Sequence, residues 1–325
     1  MPKRNNYYNP ELYKEVSSKN KSILKDFQLE MRSKGRSKGT IDQYSFDIRM
    51  FFCWNYLFND DKYILELKKR DFRNFFLQIS DVGTSAARIN RIQCSIRNML
   101  EFCSEDEDEY DYPINVMSKI KGVPKNEVRE IFFLTDEQID IILKVLLEKK
   151  HYQKALYLSL SYDSAARRNE VHQVLKDGFL ENKMTNEVIG KRSKRFKLLY
   201  FNRTREIAKL YFEQRGADSN PSLWTIGNGE DQKQVSYDTL YSWCMSFRKI
   251  LEKETGEYIA FTPHSFRHTA LENYNNGTHH VLKELGKDQL PLAVLKVLAH
   301  HEDISTTESY LSNKDEELLN EAFGL

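Results

Sequence analysis

The chain has 325 residues, of which 40% are hydrophobic and 12% are aromatic. This composition supplies packed cores and excludes a disordered chain, and the length predicts about two domains. The formal net charge is only +1, so there is no overall basic signature of nucleic-acid binding, although near-neutrality can hide basic faces balanced by acidic ones.

The four cysteines show neither paired nor Cys-x-x-Cys spacing; they are Cys53, Cys94, Cys103 and Cys244. That pattern indicates reduced thiols and argues against a structural zinc site. The apolar runs are too short and too often interrupted by charge to span a bilayer. The chain also begins without the apolar stretch of a secretion signal, so we expect a cytoplasmic protein.

The first third of the chain is expected to be helical, with residues 1–18 as a short tail and residues 19–107 as a domain. Its four amphipathic stretches are Ile23–Gly35, Thr40–Phe58, Leu67–Ser80 and Thr84–Cys103. Gly35 is a good C-terminal stop, and Thr40 is the predicted cap of the second helix. The fourth stretch is predicted to turn Ile89, Ile92, Ile96 and Met99 inward.

An acidic run, Glu105–Asp111, follows the fourth helix and is interpreted as a solvated loop. Pro113, Gly122 and Pro124 then interrupt regular structure. Together they predict a linker over residues 108–133.

Residues 134–325 are expected to form a second, mainly helical domain that begins with a helix capped by Thr135. The one convincing β signal is Asn186–Phe201, in which two short β-prone runs flank a basic turn and predict a small antiparallel hairpin. Helical patterns follow at Ser236–Thr255, from Ser265 onward, at Leu290–His300 and from Glu308 onward.

Four short segments of this second part carry residues suited to chemistry: Arg167 with Glu170, Lys191 at the hairpin tip, His264 with Arg267 and His268, and His301 with Tyr310. Each segment has a plain explanation when taken alone. Arginine and glutamate three apart form a helix salt bridge, and a lysine in a turn is solvated. His264 and His268 have zinc-ligand spacing, but Ser265 stands where a zinc protease needs glutamate, and we expect no metal.

The ordered set resembles the tyrosine recombinases, the family of the phage integrases and of the Xer and Cre recombinases. The family's Gly-Leu-Arg-x-x-Glu-Leu box appears as Ala165–Val171, and its Gly-Lys-Gly-x-Lys hairpin as Gly190–Lys194. The His-x-x-Arg-His box is intact at His264–His268. The Leu-Gly-His box, with its Ser-Thr-Thr and tyrosine, spans Leu298 to Tyr310. The resemblance covers about Lys19 to Asn320, where the first domain matches the family's core-binding domain in style.

The resemblance implies a helical core-binding domain followed by an α+β catalytic domain, acting without metal or other cofactor. The implied catalytic residues are Arg167, Lys191, His264, Arg267, His301 and Tyr310. Two guanidiniums suit a phosphodiester because their planar forks bind phosphate oxygens in a fixed geometry. Tyr310 would attack, His264 would take its proton, Lys191 would protonate the leaving oxygen, and His301 would donate a hydrogen bond to the phosphate. Glu170 would support Arg167.

The sequence departs from the family pattern beside these residues. Ala165, Arg192 and His300 stand where the family has glycine, and Arg168 stands where an apolar residue is common. No catalytic group is lost, but small displacements of such groups cost roughly a hundredfold in rate.

Double-stranded DNA with a specific site is the expected partner, clamped between the two domains in the nucleoid. The expected DNA-binding residues are Lys34, Arg36, Lys38, Arg88, Arg91, Arg192 and Lys194. We expect a monomer in solution and a dimer or tetramer on DNA. Leu311, Leu318, Leu319 and Phe323 form a possible helix face that docks onto a neighbour or folds back.

Two functions remain open at this point. The first is an active site-specific recombinase of integration, excision or resolution, with a nicking enzyme as a minor variant of the same chemistry. The second is a repressor or regulator of a phage or mobile element that binds DNA with this fold but no longer recombines. The complete set of catalytic residues favours the first function. The departures from the family pattern beside those residues leave the second function open.

Overall fold

The computed structural model describes residues 7–124, 131–179, 183–227, 231–301 and 304–308. The chain divides into two compact units, Met1–Arg129 and Glu130–Leu325. Among the described residues, no helix is long and apolar enough to cross a membrane.

The first unit is built from five α-helices and one turn of 3-10 helix (Ile64–Glu66). The helices are α1 (Pro10–Glu15), α2 (Ser18–Ser33), α3 (Lys38–Phe58), α4 (Lys69–Asp81) and α5 (Ala86–Glu105). Serine hydroxyls at the N-caps of α2, α3 and α5 accept backbone hydrogen bonds that the first turn leaves open. The cap of α3 is Ser37 and not the predicted Thr40, whose own amide is the donor to Ser37. Gly35 ends α2 at φ +65°, as predicted.

The core of the first unit is aromatic. Phe51 stacks on Phe72 at 5.3 Å between ring centroids and meets Phe75 edge-on at 5.0 Å. The four α5 residues predicted to point inward are all fully buried, which confirms the helical period read from the sequence.

The structure differs from the expected tail and linker. Helix α1 lies inside the segment expected to be a tail, and Val16 behind it is buried. Within the expected linker, Tyr110, Tyr112, Met117 and Ile120 are buried in the first core, and the Tyr110 hydroxyl donates to Asp26 at 2.8 Å. The prolines and the glycine interrupt regular helix in this segment. The segment still belongs to the first unit, because its apolar side chains pack into that core.

The second unit is a helical body that carries two small antiparallel sheets. Its helices are α6 (Asp136–Glu148), α7 (Tyr152–Ser164), α8 (Arg168–His172), α9 (Asn202–Arg215), α10 (Tyr237–Thr255), α11 (Pro263–Asn275), α12 (His280–Leu285), α13 (Leu292–Leu298) and α14 (Ile304–Glu308). Its strands are β1 (Met184–Ile189), β2 (Arg195–Leu199), β3 (Thr225–Ile226) and β4 (Lys233–Gln234).

The predicted fold class and hairpin are confirmed, since β1 and β2 pair antiparallel with Val188 opposite Phe196. The β3–β4 pair was not predicted because two-residue strands leave no period to detect. Helix α7 is the centre of this unit: every residue from Ala155 to Ser164 is buried. A helix buried on all sides shows no amphipathic stripe, and its C-terminal end leads directly to Arg167.

Candidate active site

Arg267 links three of the four sequence boxes. It lies in the first half of α11 and is fully buried. Its guanidinium donates to the Ala165 carbonyl at 2.8 Å and to the Ala299 carbonyl at 2.5 Å. It also donates to Nε2 of His301 at 2.5 Å. These acceptors carry no net charge, so they fix the direction of the guanidinium without cancelling its charge.

His301 is held as a neutral imidazole of defined tautomer. Arginine has no acceptor, so Nε2 accepts from Arg267, and Nδ1 carries the proton and donates to the Thr307 hydroxyl at 2.9 Å. Burial, followed by the charges of Arg267 and Arg167, lowers the pKa of His301 to about 3. The expected role, a donor to phosphate, requires Nε2 to leave Arg267 and gain a proton.

Arg167 stands at the N-cap of α8, held by Glu170. One carboxylate oxygen of Glu170 accepts from the Arg167 amide at 2.7 Å, and the other accepts from Nη1 at 2.9 Å. Glu170 is 1% exposed and the Arg167 side chain 31%. The expected support of Arg167 by Glu170 is therefore present, and the rest of the guanidinium reaches the surface.

The hairpin tip brings Lys191 to the same place. Its residues Lys191, Arg192 and Lys194 are exposed, and the tip is closed by the Gly190 amide donating to the Lys194 carbonyl at 2.8 Å. A cleft of about 260 Å³ opens here. It is lined by Arg167, Lys191, Arg192, Lys194, Phe196, His300, His301 and Thr306.

His264 lies in the first turn of α11, with its ring perpendicular to that of His268 at 4.9 Å. The surrounding protein withdraws it from water and lowers its pKa to about 4, and positive charge from His268, Arg267 and Arg167 acts in the same direction. The residue nevertheless keeps part of its surface exposed to solvent. At neutral pH it is an unprotonated base.

The three residues that replace family glycines occupy left-handed backbone. Their φ angles are 50° at Ala165, 60° at Arg192 and 53° at His300. Such conformations cost residues other than glycine on the order of 1–3 kcal/mol each. Two of these turns have a visible use: the turn at Ala165 points its own carbonyl at Arg267, and the turn at His300 follows the Ala299 carbonyl, which Arg267 also binds.

The fourth departure, Arg168, is a packing residue. Its guanidinium lies 3.6 Å from the ring centroid of Tyr237 and 5.4 Å from that of Tyr241, both on α10. A guanidinium on an aromatic face is a stable replacement for an apolar side chain, so this departure leaves the neighbouring Arg167 in place.

One cluster of possible metal ligands exists among the described residues, and it lies outside this cleft. The ligand atoms of Asp163, His279 and His280 are within 4.8 Å of one another. Asp163 is already bonded to His280 at 2.7 Å and accepts from Thr204 and the Phe201 amide. Burial alone would raise the pKa of Asp163, but the His280 hydrogen bond and charge lower it. The cluster is a hydrogen-bonded network at the end of α7.

Tyr310, the expected nucleophile, lies outside the described residues, as do Leu311, Leu318, Leu319 and Phe323. Sequence reasoning did not single out Phe196, which stacks on His300, Gln173, which bonds to Ile189, or Asp47, which pairs with Arg88 and Arg91. No local pattern marks them, because each acts through a partner distant in the chain.

The expected DNA-binding residues of the first unit fall into two groups. The first group is exposed: it comprises Arg36, Lys38 and Lys34, of which Lys34 is paired with Glu30 at 2.7 Å. Arg88 and Arg91 are both ion-paired with the buried Asp47.

Residues 132–317 match the model of the phage integrase family. This is more than half of the 325 residues, and the chain therefore belongs to the phage integrase family. The expected class, an enzyme of the tyrosine recombinase type, is confirmed.

The chain is similar over most of its length to proteins of that class. It is 26% identical to the SPbeta prophage-derived recombinase-like protein YomM of Bacillus subtilis (strain 168), covering 96% of this chain and 93% of that protein. It is 26% identical to tyrosine recombinase XerD of Oceanobacillus iheyensis, covering 88% and 92%. In fold it is similar to a lambda integrase dimer bound to a COC′ core site, with a TM-score of 0.67, 15% identity, and coverage of 95% and 82%.

Proposed function

We propose that the chain is a site-specific DNA recombinase that cuts and rejoins double-stranded DNA through a 3′-phosphotyrosyl intermediate. The observation that carries the proposal is the basic cleft, in which Arg167, Lys191 and His301 from three separate boxes share one wall. Arg267, bonded to His301, lies directly behind it. A cleft lined by guanidinium, ammonium and imidazole groups suits the two non-bridging oxygens of a phosphodiester, which share one negative charge.

In the proposed reaction the Tyr310 hydroxyl attacks phosphorus and the bond from phosphorus to the 5′-oxygen breaks. Tyrosine has a pKa of about 10, so its proton must be removed during attack. His264 is suited to take it because its lowered pKa keeps the ring unprotonated. Lys191 donates a proton to the departing 5′-oxygen, and a 5′-hydroxyl of another strand reverses these steps to rejoin the DNA.

Charge neutralisation in this reaction falls to Arg167 and Arg267. His301 joins them once a phosphate is bound. The negative charge of the phosphate favours protonation of His301 at Nε2, and Nε2 then donates a hydrogen bond to the phosphate. No metal or other cofactor takes part in the proposed steps.

Both units contact the duplex in this proposal. Arg36 and Lys38 of the first unit, which are exposed, are suited to phosphate contacts, and Lys34, Arg88 and Arg91 are proposed as further DNA-binding residues. Arg192 and Lys194 serve the same purpose at the hairpin. Phosphate contacts dominate such binding, so affinity is expected to fall steeply as salt rises. A gel-shift series without salt dependence contradicts this part.

The proposed assembly is a monomer in solution and a dimer or tetramer on DNA, in the cytoplasm at the nucleoid. The lambda integrase structure named above contains a dimer on its core site. Light scattering of the free protein and of its complex with a paired site tests the proposal. Deletion of the residues after Ser312 then tests the terminal segment, since unchanged cooperativity on DNA excludes a docking role for it.

The decisive experiment uses a suicide substrate. A binding site is first selected from a random-sequence duplex pool with the protein itself, and a nicked duplex carrying that site is then synthesised. We expect a covalent complex that survives denaturation, no complex with Tyr310→Phe despite intact DNA binding, and at least a roughly hundredfold loss with Arg167→Ala. Tight, specific binding by the wild type without any covalent complex overturns the proposal and leaves a DNA-binding regulator.

A further inference from the structure

The turn after α13 places a histidine where its hydrogen-bond pattern favours glycine. The His301 amide donates to the Lys296 carbonyl at 3.1 Å, and the His300 amide donates to the Val297 carbonyl at 3.0 Å. This pair of bonds is the Schellman motif, whose left-handed position is most often glycine. His300 occupies that position at φ 53°, directly before His301.

The side chain of His300 has a specific partner on the hairpin. Its ring stacks on Phe196 of β2 with 3.6 Å between centroids and 20° between planes. The Phe196 ring in turn packs against the tip: a Cβ added at Gly190 would lie 2.6 Å from it. Gly190 immediately precedes Lys191, so the stack connects the turn that carries His301 to the backbone that carries Lys191.

The other strand of the hairpin has a separate tether. The Gln173 side chain donates to the Ile189 carbonyl at 3.0 Å and accepts from the Ile189 amide at 2.9 Å. Gln173 is the C-cap of α8, and Arg167 is the N-cap of the same helix. Strand β1 is thus fixed to the helix of Arg167, while strand β2 is fixed to the turn of His301.

We propose that His300 is a positioning residue whose stack on Phe196 holds the hairpin so that Lys191 faces the cleft beside His301. The proposal rests on the proposed function for the role of Lys191. The stack also accounts for a histidine at a strained position, since the ring makes a contact that glycine lacks.

The test compares cleavage of two suicide substrates that differ in one atom. One carries the natural 5′-oxygen at the scissile phosphate, and the other carries sulfur in that position. A thiolate leaves without being protonated, so the sulfur substrate does not depend on the Lys191 proton. We expect His300→Gly to slow single-turnover cleavage of the oxygen substrate by about tenfold to a hundredfold, and that of the sulfur substrate by less than about threefold.

Two further variants separate the ring from its surroundings. His300→Phe keeps a stacking ring without imidazole nitrogens, and we expect near wild-type cleavage of both substrates. Lys150→Gly is the matched backbone control, because Lys150 occupies the same position of the same motif at the end of α6, with φ 54° and an exposed side chain. It is expected to leave both cleavage rates unchanged.

Hydrogen exchange gives a readout that needs neither DNA nor cleavage. Without the stack, the Met184–Leu199 hairpin should exchange about threefold to tenfold faster in His300→Gly than in the wild type or in His300→Phe. Unchanged exchange overturns the proposal, as does equal slowing of both substrates. If the wild type cleaves neither substrate, the proposed function fails, and the exchange comparison still decides whether His300 holds the hairpin.

Discussion

Two arginine sites, one in each unit, are held in opposite ways. In the first unit, Arg88 and Arg91 both pair with the buried carboxylate of Asp47, to which Ser95 and Gln43 also donate. In the second unit, Arg267 is fixed by two backbone carbonyls and a neutral imidazole. A carboxylate partner cancels charge, whereas neutral acceptors position a guanidinium and leave its charge available to a phosphate. The ion pairs at Asp47 therefore favour stability, whereas the contacts of Arg267 leave its charge in place; Arg167, paired with Glu170 and partly exposed, is intermediate between the two.

The backbone shows a parallel contrast. The left-handed non-glycine residues of the first unit are Asp60 and Asp61, and aspartate tolerates that conformation. In the second unit, Ala165, Arg192 and His300 adopt it around the cleft. Outside the cleft, the second unit has a further left-handed residue at Lys150, so strain is concentrated around the cleft without being confined to it, as is typical of a backbone held in place for function.

The largest effect is expected from removing Arg267. Arg267→Ala leaves two carbonyls and the His301 nitrogen without this donor and opens a cavity, so the second unit should lose roughly 3–5 kcal/mol of unfolding free energy. Hydrogen-exchange mass spectrometry measures the loss in each unit separately. A change below about 1 kcal/mol would mean that the cost of burying the guanidinium cancels its hydrogen bonds.

Removing Asp47 tests the other side of the comparison. Asp47→Ala leaves Arg88 and Arg91 without their shared carboxylate, and we expect the first unit to lose about 2–3 kcal/mol, somewhat less than for a fully buried pair because both guanidiniums reach solvent. Glu30→Ala is the control, since the Glu30–Lys34 pair lies at the surface, where solvent screens it and little stability is lost. Equal effects of the two substitutions would contradict a structural role for Asp47.

Acidification should lower the stability of the second unit more than that of the first. All eight histidines lie in the second unit, and the pKa is lowered for His264, His279, His300 and His301. A folded-state pKa below the unfolded value means that the unfolded chain binds more protons, so stability is complete above about pH 6.5 and falls as pH drops towards the folded values. Each buried group of this set contributes a slope of up to about 1.4 kcal/mol per pH unit, and His264, which is exposed, contributes less because solvent screens it.

We therefore expect the second unit to lose stability between pH 7 and pH 5 while the first, without histidine, changes little. Hydrogen exchange corrected for its intrinsic pH dependence measures both. His301→Asn should make the loss shallower. An equal loss in both units would point instead to carboxylates.

The smallest effect concerns backbone strain. Arg192→Gly removes the left-handed penalty but adds flexibility to the unfolded chain, so a net gain of about 0.5–1 kcal/mol is expected. Asp60→Gly should change stability by less, because aspartate already tolerates the conformation. Thermal unfolding of both variants measures the two stability gains. A larger gain for Asp60→Gly would show that backbone strain is not greater at the cleft than in the first unit.

The sequence by itself determined the helical class, the hairpin at Val188–Phe196 and the family. These follow from local signals: residue periods, cap residues, and boxes whose members lie three or four positions apart. The contact of Arg167 with Glu170 was equally accessible, since residues three apart share a helix face.

Tertiary structure decided what holds those residues. The Arg267 side chain binds carbonyls 102 and 32 positions away, and no sequence period reports such distances. The fold also decided that Arg88 and Arg91 both pair with Asp47 and that Phe196 stacks on His300. It decided as well that apolar side chains between Tyr110 and Ile120 are buried in the core of the first unit instead of forming a free linker. Each depends on which faces of distant helices and strands pack together, because side-chain direction is set locally but its partner is set by the fold.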